Sequence, residues 1–203
     1  MKKILNIISS VKRDESYSNK LSGAILEKLS AVYPGSTVQT RDLTQKPFPH
    51  LEESQFTAFY TPEEARTPEH REAVKHSDEA IRELQDADII VIGVPMYNFS
   101  IPSTLKSWID HVVRGGVTFS YAEGGMPEGL VKNKKVYLSI ASGGVFSEGA
   151  LKSYDFTEPY LRTVLGLIGL TDITVFRVEG HFRGETKETA LPKALSAVEE
   201  YAY

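Results

Sequence analysis

The chain has 203 residues with 23 basic and 27 acidic side chains, a net charge of −4, which suits a single α/β domain over 1–203. The charges are interspersed, with no basic stripe, so nucleic acid and anionic membrane are poor partners. Cysteine is absent, excluding disulfides and thiolate metal sites, and no run approaches the roughly 18 apolar residues that cross a bilayer. With no apolar leader at the start, these features predict a cytoplasmic protein.

Lys3–Ile8 is a short apolar run that predicts a buried strand, and the hydroxyl-rich segment Ser9–Ser18 after it is too polar for core. Leu21, Ala24, Ile25, Leu29 and Val32 recur at helical spacing, with Ser18 placed as N-cap and Pro34-Gly35 as the stop. Ser36–Arg41 reads as a more polar strand, suited to a sheet edge. From Asp42 to about Arg66 the pattern breaks into a partly helical excursion whose Phe56, Phe59 and Tyr60 need a surface to bury against. Segments of that length are usually lids or partner surfaces, and Phe59 and Tyr60 are the lid candidates. Thr67 then caps Pro68 at the first helical position, and Ala73, Val74, Ser77, Ala80, Ile81 and Leu84 mark one helical face.

Asp88–Val94 is β-branched, apolar and bounded by Asp86-Ala-Asp88 and Pro95, which predicts the central strand, buried on both faces as in a parallel sheet. Met96–Phe99, held between Pro95 and Pro102, should form a stiff loop at its carboxyl end, where open α/β sheets bind ligands. Leu105, Trp108, Ile109, Val112 and Val113 define an amphipathic helix with Trp108 in the core, broken at Gly115-Gly116. Val117–Tyr121 alternates as a short strand, and Ala122–Gly129 reads as a turn, the pair forming a small excursion over the ligand edge. Lys135–Ile140 is the fourth main strand, with Ala141-Ser142-Gly143-Gly144 as its loop. The helix Pro159–Ile168 is apolar nearly all round, which predicts burial on more than one side and a subunit interface. Asp172–Val178 is the fifth strand and Ala190–Tyr201 a final amphipathic helix.

Five strands alternating with helices predict a three-layer sandwich of the flavodoxin-like kind, with helices on both faces of a parallel sheet of order 2-1-3-4-5. Three loops then meet at the switch point. A serine-rich loop or a Gly-Gly turn alone is ordinary; their convergence on one edge points to a ligand. The hydroxyls of Ser10, Ser16 and Ser18, with the free N–H groups of the first helix, make an uncharged anion site. Tyr97, Asn98 and Phe99 offer a wall for a flat heterocycle, and Gly143-Gly144 permits close backbone approach, so a mononucleotide fits.

Ser9-Ser10 with Tyr17-Ser18-Asn19, the Pro95–Phe99 segment with Leu105-Lys106, Gly116–Phe119, Pro127–Leu130 and Ser142–Gly144 together resemble the FMN-dependent NADH azoreductases, which also reduce quinones. The resemblance runs from Met1 to about Gly180. It implies a homodimer of flavodoxin-like subunits with FMN bound non-covalently at sites on the dimer interface. It implies that Ser10, Ser16, Tyr17 and Ser18 hold the phosphate, that Met96, Tyr97, Asn98 and Phe99 line the isoalloxazine, and that Ala141, Ser142, Gly143 and Gly144 line its other side. Family members often carry Ser-Arg-Gly-Gly at the last site, so Ala141-Ser142 replaces a side-chain contact while the glycine backbone remains. The implied reaction is ping-pong: NADH gives a hydride to FMN and leaves, and a quinone or aromatic azo compound takes the two electrons. The cofactor carries the chemistry, so no catalytic acid, base or metal is required, and the 5 histidines lack metal-ligand spacing. Tyr121 is the candidate pocket wall, reaching across the dimer.

The alternative is a flavodoxin-type electron carrier without its own NADH oxidation, although such carriers are small, strongly acidic monomers. A phosphoacceptor receiver would need acids where Ser9-Ser10 and Pro95-Met96 stand. There is neither a Gly-x-Ser-x-Gly elbow nor a Gly-x-x-x-x-Gly-Lys loop.

Overall fold

The structure is a computed structural model that describes residues 1–121, 125–182, 184 and 186–203. Five parallel strands, β1 (Lys3–Ile8), β2 (Thr37–Asp42), β3 (Ile89–Pro95), β6 (Lys135–Ser142) and β7 (Asp172–Glu179), lie in the order β2-β1-β3-β6-β7. This is the expected flavodoxin-like order, with the switch point between β1 and β3. The short strands β4 (Phe119–Tyr121) and β5 (Pro127–Gly129) form a separate antiparallel hairpin.

All seven residues of β3 are buried, because the pleat sends alternate side chains to opposite faces and both faces are covered. Ile89 and Val91 pack with Leu21, Ile25 and Leu29 of α1 (Tyr17–Val32) and with Ala194 and Val198 of α6 (Ala190–Glu200). Ile90, Ile92 and Val94 pack on the other face with Leu84 of α3 (Pro68–Asp86), Leu105 and Trp108 of α4 (Ser103–Val112), and Leu161 and Leu165 of α5 (Glu158–Leu167). Trp108 is 1% exposed, as its place in the apolar pattern requires. Full burial of such side chains stabilises by about 1.5–3 kcal/mol each, which anchors β3 in the core. The polar edge strand is β2, where Arg41 is held by Glu79 at 2.5 Å and by Glu83, both on α3. At the other edge Arg162 of α5 donates to the Ile173 carbonyl of β7 at 3.3 Å.

Several local expectations need correction. The cap of α1 is Ser16, not Ser18: its hydroxyl accepts from the Asn19 amide at 3.2 Å, so the helix begins at Tyr17. Ala141 and Ser142 belong to the end of β6 rather than to a loop, because β6 pairs with β7 as far as Ser142 and Glu179. The 42–66 excursion holds one α-helix, α2 (Glu53–Tyr60), and a short 3-10 turn at Glu63–Ala65, and buries Phe48 and Ala58. Phe59 packs on His111 and under the Arg114 guanidinium, while Phe56 and Tyr60 are exposed. In α5 only Leu161 and Leu165 are buried; Arg162 and Thr163 face solvent, so burial within the chain is one-sided.

The β4–β5 hairpin also sits elsewhere than expected. Gly129 is so close to Gly169 that a Cβ would fall 2.1 Å from the Gly169 nitrogen, and Val131 N–H donates to the Ile168 carbonyl at 2.9 Å. Gly169 follows α5 just before β7 begins, so the hairpin is anchored at the amino edge of the sheet, opposite the loops. The expected turn at Ala122–Gly129 includes β5, and its residues 122–124 lie outside the described residues.

Candidate active site

Three segments meet at the carboxyl edge of the sheet. After β1, Ser9 Oγ donates to the Gly93 carbonyl at 2.6 Å, tying the loop to β3. Ser10 accepts the Lys12 amide at 3.3 Å and lies 3.5 Å from the Tyr97 hydroxyl. Lys12–Glu15, a motif with no role in the sequence pattern, forms an exposed single turn that ends at the Ser16 cap. Ser16 and Ser18 are 2% and 0% exposed, their hydroxyls 3.0 Å apart, and Ser139 of β6 donates to the Ser18 carbonyl at 2.7 Å. The first N–H groups of α1, at Tyr17 and Ser18, are among those a helix leaves without internal partners. Hydroxyls, free amides and the positive end of the helix dipole together form an anion seat needing no cation.

After β3, the Met96 amide continues the β3–β6 ladder by donating to Ala141 at 2.8 Å. Tyr97 and Ser100 then exchange hydrogen bonds across a tight turn whose central residues, Asn98 and Phe99, have φ of 50° and 69°. Two positive φ values in succession make a type I′ turn. Asn tolerates that conformation, whereas a bulky Phe is an outlier that persists only when neighbours hold it. They do: Phe156 N–H donates to the Phe99 carbonyl at 3.1 Å, and the Phe99 ring meets Phe146 at 6.1 Å and Tyr154 at 5.8 Å. Beside this turn, an open groove of about 510 Å³ is lined by Tyr97, Asn98, Ile101, Lys106 and Tyr160, whose phenol burial pushes up to about 12.

At the third segment, Ser142 is buried at the end of β6 and its hydroxyl donates to the Gly144 carbonyl at 2.8 Å, so it is spent inside its own loop. A Cβ at Gly143 would stand 3.1 Å from Phe182, and one at Gly144 3.2 Å from the Phe146 ring. A side chain at either position would have to push a phenylalanine aside by a few tenths of an ångström, so the backbone there is closely approached. The sequence pattern thus brings together Ser10, Ser16, Tyr17 and Ser18 on one side, Met96–Phe99 in the middle and Ala141–Gly144 on the other. Tyr121, 71% exposed in β4, is not at this edge of its own chain.

A fourth segment was missed. Beyond β7, the Gly180 amide donates to the Ser142 and Gly144 carbonyls at 3.1 and 3.2 Å, and Phe182 N–H to Gly143 at 3.3 Å. His181 stacks on Tyr17, centroids 4.2 Å apart and planes at 25°, so this segment bridges the first and third loops. Burial, opposed by a backbone hydrogen bond and aided by the charge of Lys12, holds the His181 imidazole below its usual pKa. The signal available was positional: the segment follows a parallel strand at the edge where ligands collect. His111 is wholly buried, its Nε2 3.0 Å from the Pro49 carbonyl, and burial lowers its pKa. Among the described residues no group of three His, Cys, Asp or Glu could hold a metal ion.

The pattern of the flavodoxin-like fold family matches residues 2–202. The FMN-dependent NADH:quinone oxidoreductase of Herminiimonas arsenicoxydans is 51% identical over 201 residues, covering 98% of each chain. The chain belongs to this family. The protein of the same name from Mesorhizobium japonicum is 46% identical over 197 residues, 97% of this chain and 93% of that one. Family membership extends to structure. An azoreductase from Bacillus anthracis superposes with a TM-score of 0.87 at 27% identity, covering 99% of this chain and 100% of its own. An FMN-dependent NADH-azoreductase of Bacillus anthracis, solved in complex with FMN, gives 0.86 at 25% identity over 98% of this chain and 96% of that one.

Proposed function

We propose that this chain is an FMN-dependent oxidoreductase that uses NADH to reduce quinones and aromatic azo compounds in two-electron steps, acting as one flavodoxin-like unit over 1–203. The observation that carries the reading is the meeting, at one sheet edge, of a buried serine seat, a strained aromatic turn and a closely packed glycine pair with no side chain of its own. The donor set fits FMN. Ser10, Ser16 and Ser18, with the Tyr17 and Ser18 amides, suit a phosphate, since hydroxyls and helix N–H groups bind anions without a countercharge. Met96–Phe99 and Ala141–Gly144 offer two edges between which a flat ring system can lie. When bound, FMN takes a hydride from NADH and delivers two electrons to the acceptor. The work left to the protein is positional: the type I′ turn fixes where Asn98 and Phe99 stand, and the Tyr17–His181 stack ties the first loop to the segment after β7.

The dimer belongs to the same proposal. Phe99, Tyr154, Phe156 and Phe182 are 49–67% exposed beside the site, whereas Tyr121 is exposed at the far edge of its own chain. A second copy that covers these aromatics and brings its Tyr121 over them accounts for both. A cytoplasmic setting, where NADH is made, suits the donor, and no helix among the described residues is long and apolar enough to cross a membrane.

The test is the visible spectrum of purified protein before and after anaerobic addition of NADH. A bound FMN spectrum that bleaches with NADH and recovers on adding a quinone supports the reading. FMN that stays oxidised would instead make the protein an electron carrier, and no uptake of FMN on reconstitution would overturn the cofactor assignment.

A further inference from the structure

The carboxyl end of β7 carries an acid and a base that the reading above does not use. Glu179 is the last residue of β7, with its side chain 12% exposed. One carboxylate oxygen accepts the consecutive amides of Phe146 and Ser147 at 2.8 and 2.9 Å, and the other accepts the Ser147 hydroxyl. The first oxygen also receives Arg177 Nη1 at 3.1 Å. Arg177 reaches further, to Asp155 at 2.6 Å and to Glu158. Asp155 in turn accepts the amides of Thr157 and Glu158 at 2.8 and 3.1 Å, which fixes the segment whose Phe156 N–H holds the Phe99 carbonyl.

Two lines of contact therefore leave one ion pair. One runs from Glu179 to the loop Gly143–Ser147, and the other from Arg177 through Asp155 and Phe156 to the strained Phe99. They meet again where the Phe99 and Phe146 rings touch edge to face. Such a cluster is a poor device for stability alone, because three carboxylates and a guanidinium lose much of their hydration for it. It is a good device for geometry. Gly143 and Gly144 give the loop backbone freedom, and a buried carboxylate that accepts two successive amides removes it.

We propose that Glu179, backed by Arg177, is a positioning residue that sets the glycine loop against the Asn98–Phe99 turn and so fixes the spacing of the two walls between which the FMN ring is held. This rests on the reading of the edge as an FMN site. Glu179→Gln keeps an acceptor oxygen for the Phe146 and Ser147 amides and gives up the charge. Glu179→Asp keeps the charge for Arg177 but is one methylene too short to reach both amides.

The experiment compares the two variants by amide hydrogen exchange of Phe146 and Ser147 in the FMN-free protein, by FMN affinity from flavin fluorescence, and by kcat and KM for a quinone. In Glu179→Asp the two amides should exchange at least about tenfold faster, FMN affinity should fall about tenfold, and quinone KM should rise more than kcat falls. Glu179→Gln should stay within about threefold of wild type on every readout. An Asp variant with wild-type exchange and wild-type FMN affinity overturns the proposal, and so does a Gln variant as impaired as Asp, which would put charge balance in place of the amide bonds. If wild type itself takes up no FMN, the reading of the site falls; if it takes up FMN and the Asp variant matches it, this proposal alone falls.

Discussion

At the β1 end of the site the hydroxyls of Ser10, Ser16 and Ser18 are buried and bonded within the chain, whereas at the β3 end Phe99, Tyr154 and Phe156 leave about half their surface in water. The contrast follows from the groups involved. A small hydroxyl is satisfied by one or two hydrogen bonds that a neighbouring turn can supply, so the polar end can be finished by local sequence. An aromatic ring is satisfied only by area, and a single chain that used its own residues to cover these rings would also fill the place of a ligand. One end is thus complete in a lone subunit, while the other leaves rings open to the second copy proposed above.

The largest effect should come from breaking the finished end. Ser16→Ala with Ser18→Ala removes two hydroxyls that can bond a charged phosphate, at about 1.5–3 kcal/mol each, so FMN affinity measured by fluorescence titration should fall by a factor of about a hundred or more. At saturating FMN, quinone turnover should remain close to wild type, and unchanged affinity would show that the phosphate sits elsewhere. Tyr121→Ala probes the open end: the ratio of kcat/KM for a quinone and an azo dye should shift about tenfold with FMN affinity within about twofold, and unchanged kinetics with every acceptor would sink the role given to Tyr121. Sedimentation of wild type and of the same variant tests the proposed second copy.

Smaller effects separate conformation from contact within the turn. Asn98→Ala places an unsuited residue at φ 50° and should cost about 1 kcal/mol in denaturant unfolding, whereas Asn98→Gly should be nearly neutral. If Asn98→Gly also keeps FMN affinity, the residue acts through backbone shape. The smallest effect is pH dependence. Burial lowers the pKa of His111, so on acidification through about 6.5 the unfolded chain binds a proton that the folded chain refuses. Stability should therefore fall as pH drops through that value and on to the lowered native pKa, and His111→Gln should flatten this part of the curve.

The strands and most helices were legible because burial on two faces leaves short apolar runs such as Ile89–Val94, and one-sided burial leaves helical spacing such as Leu105, Trp108, Ile109 and Val112. The site was legible where chemistry is local: serines before a helix, an amide within a turn, paired glycines after a strand. The choice between Ser16 and Ser18 as the cap was not, since both hydroxyls precede the same apolar pattern and only geometry shows which one accepts the Asn19 amide. Nothing in the sequence marks Phe99 for a positive φ, because its conformation is imposed by Phe146, Tyr154 and Phe156 from distant segments. Glu179 and Arg177 were missed for the same reason: as alternate residues on a strand they read as an ordinary polar edge, and their partners lie up to 33 residues away. The hairpin was misplaced because Gly129 looked like a turn residue, when its lack of a Cβ is needed for contact with Gly169.

Each outer strand is tied to a neighbouring helix through an arginine. Arg41 of β2 is turned onto Glu79 and Glu83 of the neighbouring helix, and at β7 the Ile173 carbonyl is already taken by Arg162. A strand adding at β7 would have to displace Arg162 from the Ile173 carbonyl, and charged side chains at a sheet edge disfavour such pairing. Charge at the sheet edges thereby counts against sideways growth into ribbons or fibrils. The meeting of two copies proposed above would instead use loops and aromatic rings, where an encounter can be specific and reversible.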